Sequence, residues 1–427
     1  MKAFLVTHGT RGDVQPFLAL AVALRAAGHQ ARLAAPASFA TQAAEYGVDF
    51  VPLDEGPNRL LTDPAAREAI ETGYRGVRGK ISALRTLRRI KPLMSAVLRD
   101  LGKAAWREAD VVVHSPSLPA QHVAELLSVP AVLATLQPGW VPTSLFPCPM
   151  VPLPRLPTAF NRATYLAVAG TLRAHAGVAN AWRTGQLGLP VRRGGHDVLH
   201  EPGGADRLVL QAFSPHVTRI DPAWPDSVRT TGFWYLPTAE DWTPPPRLRQ
   251  FLDEGPPPVY LGFGSMAGQA DRTGAVVAEA VRRAGVRAVL ATGWGGIAAV
   301  EDSPGVLVIE AAPHDWLFPR LAATVHHGGG GTTGAALAAG RPQVVCPFVA
   351  DQPHWAQRMH AVGVAPAPVP QQRLTAECLA TAITAAVGDA DLARRAEELS
   401  RVVRAEDGVT AAMRALEEHL ARKAKQK

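Results

Sequence analysis

The sequence predicts an α/β protein with two parallel-sheet domains joined by a proline-rich connector. Short apolar runs alternate with helical stretches in both halves of the 427-residue chain, which is the pattern of a doubly wound parallel sheet. Proline-rich segments are stiff and extended, and residues 232–246 form such a segment. We therefore expect a first domain at 1–231, a linker at 232–250, a second domain at 251–405, and a C-terminal helix with a basic tail at 406–427.

The first domain begins as a strand, a loop and a helix. Phe4–Val6 is a short apolar run, the loop continues through Pro16, and the helix covers Phe17–Ala27. Further strands are expected where apolar runs are bounded by turn residues, at Ala31–Ala35, Val111–Val113 and Ala131–Ala134. Because helical stretches separate these runs, the strands should be parallel and the domain Rossmann-like.

The segment Pro138–Pro157 is rich in proline and interrupts this alternation. Each proline removes a backbone donor and restricts the residue before it, so we expect an irregular apolar loop. Trp140, Phe146 and Met150 lie in this loop. Two interpretations stay open: a packed surface excursion, or one wall of a cleft for a lipophilic molecule. The next segment, Phe160–Leu187, is predicted to be helical.

The alternation of strands and helices resumes in the second domain. Five apolar runs, each followed by turn or helix signals, are predicted strands: Val259–Phe263, Ala288–Ala291, Val306–Ile309, Ala323–Val325 and Gln343–Cys346. From Thr375 onward the chain is rich in Ala, Leu, Arg and Glu and should be helical, with a frayed basic end. The second domain is therefore also expected to be Rossmann-like.

A glycine-rich turn after the fourth of these strands carries the clearest functional signal. His326–Thr333 reads His-His-Gly-Gly-Gly-Gly-Thr-Thr, and a helix of small residues begins at Thr332. Glycines let the backbone approach a ligand that a Cβ would block, and the first N–H groups of a helix favour an anion. A glycine-rich connection without a ligand is the alternative. The polar pair Asp351-Gln352, one strand later, favours the ligand.

Composition excludes several classes of protein. No segment offers the ~18 uninterrupted apolar residues of a membrane span, so a soluble protein is expected. The chain begins with a strand-like run rather than a signal peptide, which favours the cytoplasm. Its three cysteines are widely spaced and fit neither a disulfide framework nor a zinc site.

The net charge of +7 is concentrated between Arg67 and Arg107. A solvated helix face is the commonest explanation for such a run. The alternative is a surface for an anionic membrane or acceptor, with an apolar stripe formed by Ile81, Leu84, Leu87, Met94, Leu98 and Leu101. Pro92 would kink this stripe, whose apolar side is core in the simpler interpretation. We expect no nucleic-acid partner and at most weak peripheral membrane contact.

Three ordered motifs resemble those of one enzyme family. The glycine-rich block with Asp351-Gln352 is similar to the donor-binding signature of the inverting nucleotide-sugar glycosyltransferases with the GT-B fold. Thr7–Pro16 and Pro257–Met266 resemble the sterol-glucosyltransferase-like and glycopeptide-antibiotic branches of that family. The resemblance implies two Rossmann-like domains facing a central cleft, with Phe160–Leu187 over the cleft and the last helix crossing back to the first domain.

The resemblance assigns the general base to Asp13, in the loop after the first strand. An isolated aspartate has a pKa near ~3.9, so it would need a positioned hydroxyl or partial desolvation to act near neutral pH. From the residues alone, an Asx turn or a helix cap is the more frequent role of such an aspartate. His8 is the rival base because the pKa of histidine lies closer to neutral, and it could instead orient the acceptor or close the loop.

The phosphate-binding residues implied by the resemblance lie in the second domain. Ser265 would offer a hydroxyl to the distal phosphate, although an ordinary strand-terminating turn is the simpler interpretation. His327 would contact the diphosphate, whereas His326 is interpreted as structure at the end of a strand. Further donors to the diphosphate would come from Gly329, Gly331 and Thr332.

The resemblance also implies contacts to the sugar and the nucleobase. Asp351 and Gln352 would bind hydroxyls of the transferred sugar, one as a double acceptor and the other as donor and acceptor. Asp351 could equally cap a helix with Pro353 just inside it, and both roles are compatible. His314 belongs to the segment that would hold the nucleobase.

Departures from the plant relatives leave the nucleotide open between UDP and dTDP. Ala335 stands where they carry an acidic ribose-binding residue, and Ala311 where they carry a tryptophan. Gly264-Ser265-Met266 and Thr333-Gly334-Ala335 resemble the sterol branch, which favours UDP-glucose. We expect no metal and no cofactor beyond the nucleotide-sugar co-substrate, and Asp389-Ala390-Asp391 is expected to serve in helix capping.

The predicted reaction is inverting transfer of a hexose, glucose in first place, to a hydroxyl of a lipophilic polycyclic or natural-product acceptor. The predicted acceptor contacts are Trp140, Phe146 and Met150. A nucleotide-sugar epimerase of the same two-domain design is one alternative, and Asp351-Gln352 with the proline-rich loop argues against it. A non-catalytic homologue that activates a glycosyltransferase is the other, and the presence of Asp13 and His327 argues against that.

Overall fold

The computed structural model describes residues 1–62, 76–104, 106–150, 157–194, 196–263, 270–293 and 302–425. The chain forms two compact units. The first unit contains Met1–Pro215, Arg219–Leu236 and Asp407–Lys427, and the second contains His216–Thr218 and Pro237–Glu406. The segment predicted as a linker is divided between them, because Trp234 lies in the core of the first unit and a helix of the second begins at Pro246.

In the described part of the chain, seven parallel strands form the sheet of the first unit: β1 (Lys2–Val6), β2 (Gln30–Pro36), β3 (Asp49–Leu53), β4 (Val111–His114), β5 (Ala131–Thr135), β6 (Val209–Gln211) and β7 (Val228–Thr230). Their order is β3-β2-β1-β4-β5-β6-β7. Leu5 packs in the core on one face of the sheet and Phe4 in the core on the other, which explains the continuous apolar runs. The strands β3, β6 and β7 were not predicted, because β3 contains Pro52 and the other two are only three residues long.

The helices of the first half are α1 (Arg11–Ala26), α2 (Ala40–Glu45), α3 (Gly56–Thr62), α4 (Gly76–Ala104), α5 (Gln121–Leu127), α6 (Asn161–Thr164) and α7 (Leu166–Trp182). The helical prediction for Phe160–Leu187 is confirmed, with a turn of π-helix at Arg183–Leu187. Residues 138–150, the described part of the proline-rich loop, contain neither helix nor strand, as predicted.

The predicted start of the first helix was wrong. We expected a loop through Pro16 and a helix from Phe17, whereas α1 begins at Arg11 and runs through Pro16. Thr10 and Asp13 form a capping box that starts the helix early. Pro16 is the sixth residue of this helix, and its missing N–H removes one intrahelical hydrogen bond.

The apolar stripe on α4 is core rather than a free surface where the structure describes it. Leu98 and Leu101 are buried, and Met94 packs against the same cluster. The side chains of Ile81, Leu84 and Leu87 lie outside the described residues. The helix continues through Pro92. Within the described ranges, no helix combines the length and the apolar character needed to cross a bilayer.

The second sheet matches the five predicted strands to within one residue at each end. Its strands are β8 (Val259–Gly262), β9 (Ala288–Ala291), β10 (Val306–Ile309), β11 (Ala323–His326) and β12 (Gln343–Val345). They are parallel, in the order β10-β9-β8-β11-β12. Its helices are α8 (Pro246–Asp253), α9 (Ala270–Ala284), α10 (His314–Leu317), α11 (Gly330–Ala338), α12 (Gln352–Ala361), α13 (Ala376–Gly388) and α14 (Ala390–Ala405).

The last helix, α15 (Gly408–Lys425), belongs to the first unit. Ala412 and Leu416 are buried in the same core cluster as the apolar residues of α1. The carboxylate of Glu417 accepts a hydrogen bond from His29 Nε2 at 2.9 Å. The chain therefore ends on the unit in which it begins.

In both sheets the strand order reverses beside the first strand, between β1 and β4 and between β8 and β11. Open α/β sheets bind ligands at the carboxyl ends of strands at such a point. The turn that leads to Asp13 follows β1, and the turn that begins with His327 follows β11. The topology therefore places the two predicted groups of site residues at the ligand-binding edge of their own sheets.

Candidate active site

Asp13 occupies the third position of α1, and its carboxylate faces the turn that precedes the helix. The Thr10 backbone N–H donates to Asp13 Oδ2 at 2.8 Å, and the Thr10 hydroxyl donates to the same oxygen at 3.3 Å. Gly9 has φ +144°, and a Cβ there would collide with the Asp13 carboxylate. The capping role expected from the residues alone is thus confirmed, and the catalytic role of Asp13 stays a prediction.

The environment of Asp13 changes its basicity in the direction that catalysis needs. Burial raises the pKa of the Asp13 carboxyl above its ordinary value, while the hydrogen bonds from Thr10 act in the opposite direction. A raised pKa makes the carboxylate a better proton acceptor near neutral pH. An aspartate base needs partial desolvation to act near neutral pH, and the burial of Asp13 provides it.

His8 closes the loop beside Asp13. Its Nε2 donates to the backbone oxygen of Asp54 at 2.9 Å, so in the neutral ring Nδ1 is the basic atom. Burial lowers the pKa of His8, partly offset by this hydrogen bond. Asn58 Nδ2 donates to the backbone oxygen of Gly9 at 2.8 Å. Sequence reasoning missed Asp54 and Asn58, because neither lies in a motif and both are far along the chain from the turn they hold.

The three predicted acceptor contacts lie in a loop that is tied to the helices after it. Trp140, Phe146 and Met150 are all partly exposed. Thr164 Oγ1 accepts from the backbone N–H of Cys148 at 2.7 Å, and Asn161 Nδ2 donates to the backbone oxygen of Ser144 at 2.9 Å. The loop is therefore a packed excursion that keeps some apolar surface accessible, and its contact with an acceptor stays a prediction.

In the second unit, His326 is structural. It is fully buried at the end of β11, and burial lowers its pKa to about 3, so the ring is neutral. Its Nδ1 accepts from the Gly328 backbone N–H at 3.1 Å, which leaves Nε2 as the donor to Gln343 Oε1 at 2.9 Å. Gln343 Nε2 in turn donates to the backbone oxygen of Thr333 at 3.4 Å. Gln343, which sequence reasoning missed, therefore links the glycine turn to α11.

His327, the predicted diphosphate contact, has a buried ring nitrogen whose hydrogen-bonding capacity is unused. Burial lowers its pKa to about 4, with the Gly262 backbone acting in the opposite direction. Its Nδ1 has no hydrogen-bond partner among the described residues. A Cβ at Gly329 would collide with His327 Nε2, so glycine is required for this ring position. Buried polar atoms are normally satisfied, and a polar ligand atom would satisfy this one.

The turn after His327 leads into the amino terminus of α11. Gly329 is the N-cap residue, and the first intrahelical bond runs from the Thr333 N–H to the Gly329 oxygen at 3.0 Å. The N–H groups of Gly330, Gly331 and Thr332 are thus the unpaired donors of the first turn, which attract an anion together with the helix dipole. Gly331 faces open space, since a Cβ there would meet nothing within 4 Å.

The predicted sugar-binding pair, Asp351 and Gln352, lies beside this turn. Gly328 has φ +90°, and a Cβ there would lie 3.2 Å from the backbone oxygen of Gln352. Gln352 Oε1 accepts from the N–H groups of Phe348 and Val349 at 2.8 and 3.2 Å, which makes the amide NH₂ the end that can donate to a ligand. The structure therefore brings the glycine-rich turn and Gln352 together.

Asp351 occupies the N-cap position of α12, but it does not cap the helix through its side chain. Its Oδ2 accepts instead from the indole N–H of Trp355 at 2.8 Å. The capping alternative was therefore right about the position of Asp351 and wrong about its hydrogen bond. By contrast, Asp389 does cap α14, since its carboxylate accepts from the N–H groups of Asp391 and Leu392, as expected.

The remaining predicted donor contacts have different outcomes. The ring of His314 is stacked on Phe318, with centroids 4.2 Å apart and planes at 16°, and lies edge-on to Tyr260. Ser265 lies outside the described residues. Among the residues that the structure does describe, no group of three or more His, Cys, Asp or Glu side chains is placed to hold a metal.

Comparison with known proteins identifies both halves of the chain. Residues 3–146 match the glycosyltransferase family 28 N-terminal domain, and residues 291–418 match the erythromycin biosynthesis protein CIII-like C-terminal domain. The crystal structure of glycosyltransferase VinC in complex with DTDP shares the fold, with a TM-score of 0.67 and 19% identity over 100% of both chains. These matches confirm the GT-B architecture of two α/β units.

Curated relatives extend over nearly the whole chain. A sterol 3-beta-glucosyltransferase of Arabidopsis thaliana is 33% identical over 98% of this chain and 68% of its own length. A sterol 3-beta-glucosyltransferase of Emericella nidulans is 34% identical over 97% of this chain, which spans only 30% of that relative. The motifs that resembled glycosyltransferases thus lie in a chain related to these enzymes from end to end, and the chain belongs to the sterol 3-beta-glucosyltransferase family.

Proposed function

We propose that this protein transfers glucose from UDP-glucose, with inversion at the anomeric carbon, to a hydroxyl of a lipophilic sterol-like acceptor. The observation that carries the proposal is the turn after β11, where His327 Nδ1, which has no partner in the described part of the chain, and the first amides of α11 lie next to Gln352. This arrangement suits a diphosphate with a sugar attached. The proposal for the acceptor draws on the names of the curated relatives, which are sterol 3-beta-glucosyltransferases.

The second unit would stabilise the leaving nucleoside diphosphate. His327, protonated at Nδ1 beside the diphosphate, would donate to one phosphate oxygen, and the N–H groups of Gly331 and Thr332 would donate to another. These dipoles are oriented before substrate arrives, so they need no reorganisation as negative charge builds on the departing phosphates. Asp351 and Gln352 would hold sugar hydroxyls and so orient the anomeric carbon for attack.

Asp13 would accept the proton of the attacking hydroxyl. Its Oδ2 is held by the N–H and hydroxyl of Thr10, so Oδ1 is the oxygen assigned to the proton. As the acceptor oxygen forms its bond to the anomeric carbon, the bond to the diphosphate breaks and the proton passes to Asp13. One displacement inverts the configuration and needs no covalent intermediate on the protein.

UDP is favoured over dTDP as the nucleotide. The sterol-branch character of the glycine-rich motif and the relatives named as glucosyltransferases support UDP-glucose. Ala335, in place of an acidic residue, removes one argument for recognising a ribose hydroxyl, and a solved structure of the same fold carries dTDP. A test of the proposal therefore needs both donors.

The test is transfer of hexose to a panel of 3-hydroxysterols and non-sterol polycyclic alcohols, from UDP-glucose and from dTDP-glucose, read by mass spectrometry. We expect hexosylated sterol with UDP-glucose. His327→Ala should lower turnover by about 10²-fold, the typical loss when a donor to developing charge is removed. The matched control is His200→Ala, which removes a surface histidine whose side chain is 46% exposed.

Three results would contradict the proposal. The first is no hexosylated product with either donor. The second is full activity of His327→Ala, which would show that His327 makes no important contact with the diphosphate. The third is an equal loss of activity in the His327→Ala and His200→Ala variants, which would reveal a general effect of histidine substitution.

A further inference from the structure

The hydrogen bond between Trp355 and Asp351 connects the buried interior of the second unit to the proposed sugar site. Trp355 Nε1 donates to Asp351 Oδ2 at 2.8 Å. Trp355 is fully buried and Asp351 is 8% exposed, so the donor lies in the core and the acceptor lies at the edge of solvent. An indole has a single N–H donor, which defines the pairing.

The local backbone explains why Asp351 is not needed as a helix cap. The Gln352 N–H donates to the Val349 oxygen at 3.2 Å, and Pro353 has no N–H to satisfy. The demand for a cap at the start of α12 is therefore small, and the Asp351 side chain makes no capping bond. A capping carboxylate would accept from a backbone N–H. The Asp351 carboxylate accepts instead from the indole N–H of Trp355, one helical turn further on.

The turn before Asp351 is held in a strained conformation. Ala350 has φ +54°, which is unfavourable for a residue with a Cβ. Gln352 Oε1 accepts from Phe348 and Val349 and so clamps the amino-terminal side of this turn. Trp355 clamps the other side through Asp351. Strain of this kind persists where the surroundings enforce it, and it is frequent at ligand-binding sites.

We propose that Trp355 is a positioning residue for recognition of the donor sugar: its indole N–H holds one oxygen of Asp351 so that the other accepts from the sugar hydroxyls. This inference rests on the proposed function and deepens it. The Asp351 carboxylate is oriented by a buried residue that does not itself contact the donor. Free nucleoside diphosphate has no sugar, so its binding should not depend on Trp355.

The experiment compares UDP with UDP-glucose, and dTDP with dTDP-glucose, by calorimetry on the full chain. In Trp355→Phe the Kd of the nucleotide sugar should rise about tenfold, as expected for loss of a hydrogen bond to a charged group, while that of the free diphosphate stays unchanged. The matched control is Trp234→Phe. Trp234 is a buried residue of the first unit whose Nε1 donates to Thr231 Oγ1 at 3.0 Å, and its replacement should change neither Kd.

A double-mutant cycle separates positioning from general support of the fold. In an Asp351→Asn background, adding Trp355→Phe should cause no further loss of nucleotide-sugar affinity, because the positioned carboxylate is already absent. The inference is overturned if Trp355→Phe binds the nucleotide sugar like wild type, or weakens it and the free diphosphate equally. It is also overturned if the two substitutions act additively.

A measurement on folded protein without a substitution at Trp355 guards against misfolding of that variant. The indole ¹⁵N–H resonance that moves in Asp351→Asn belongs to Trp355. In the wild type this resonance should shift when UDP-glucose is added and stay in place when UDP is added. A resonance that ignores the sugar overturns the positioning role even when UDP binds. Failure of the wild type to bind any of the four nucleotides would instead overturn the proposed function itself.

Discussion

Hydrogen bonding and burial act in opposite directions on the pKa of Asp13. As the third residue of α1 it accepts hydrogen bonds from Thr10, which stabilise the carboxylate and lower its pKa. Burial destabilises the charged form and is the larger effect, so the pKa is raised. A single side chain therefore anchors the helix and keeps enough basicity for the proton transfer that we propose.

This balance predicts a shift in the pH dependence of transfer. The base must be ionised, so kcat/KM should fall as pH drops through the raised pKa of Asp13. Thr10→Val removes a hydrogen bond that lowers this pKa, so the acidic limb of the profile should move to higher pH. Asp13→Asn should lower turnover by about 10²- to 10⁴-fold with nucleotide-sugar binding intact.

The measurement is kcat/KM for the wild type and both variants between about pH 4 and 8, with donor affinity measured separately. Valine keeps the shape of threonine and the backbone N–H that bonds Asp13, so Thr10→Val removes only the hydrogen bonds of the Thr10 hydroxyl. An acidic limb that does not move, or an Asp13→Asn enzyme at full rate, would transfer the role of base to His8.

The turn and the helix that form the proposed sugar site combine a strained backbone with the residues proposed to bind the sugar. The turn between β12 and α12 contains Ala350 at positive φ and ends at Asp351. Gln352 Oε1 accepts from the Phe348 N–H on one side of the turn, and Trp355 Nε1 donates to Asp351 on the other. The helix therefore supplies both the ligands proposed for the sugar and the contacts that maintain their backbone.

Ala350→Gly should test this strain. A left-handed alanine costs about 1–2 kcal/mol, while glycine adds about 0.4–1 kcal/mol of unfolded-state entropy, so we expect unchanged or slightly higher stability. Ala393 is an exposed residue within α14, and Ala393→Gly should instead lower the free energy of unfolding by about 0.5–1 kcal/mol. Urea unfolding of both variants is the measurement. Equal destabilisation of the two would show that Ala350 carries no strain.

Buried neutral histidines are a property of the whole molecule, since both units contain them. Burial lowers the pKa of His114 to about 4 and that of His122 to about 3 in the first unit. In the second unit it lowers the pKa of His326 to about 3, that of His327 to about 4 and that of His354 to about 3. Each of these histidines must leave its buried environment and become hydrated before it can readily take up a proton.

The protein should therefore be acid-labile. The unfolded pKa of histidine is near ~6.5, so below that pH the unfolded chain binds more protons and stability falls until the folded pKa is reached. At pH 5 each such histidine lowers the free energy of unfolding by up to about 2 kcal/mol relative to pH 8. This loss is large because the free energy of unfolding of a typical protein is only about 5–15 kcal/mol. Urea unfolding at pH 8, 7, 6 and 5 should show a decline in the free energy of unfolding. In His326→Asn this free energy should fall less steeply with pH. A free energy of unfolding that stays constant from pH 8 to 5 would contradict this expectation.

Prediction from sequence was reliable where a feature is local. Strands β1, β2, β4 and β5 and all five strands of the second sheet follow from apolar runs bounded by turn residues. The start of α1 was mispredicted because the helix-breaking tendency of Pro16 was given more weight than the capping box of Thr10 and Asp13. Strand β3 was missed because Pro52 and partly exposed residues obscure its pattern.

The supporting residues of the site were harder to predict, for two different reasons. Asp54 and Gln343 contact His8 and His326 across 46 and 17 positions of the chain, and no spacing rule connects them. The contact of Trp355 could have been predicted, because Trp355 lies one helical turn after Asp351 and Pro353 indicates that a helix begins there. The i, i+4 spacing would have placed the two side chains on one face.

The sequence by itself determined the two α/β units, the strands β1, β2, β4, β5 and β8 to β12, the glycine turn and the resemblance to the family. All of these depend on residue type and local spacing, which persist in the unfolded chain. Tertiary structure alone decided which strands are neighbours, that α15 packs with α1, and which polar atoms are buried. Burial depends on contacts between distant segments, so the raised pKa of Asp13, the neutral His327 and its unsatisfied nitrogen emerge only when the chain is folded.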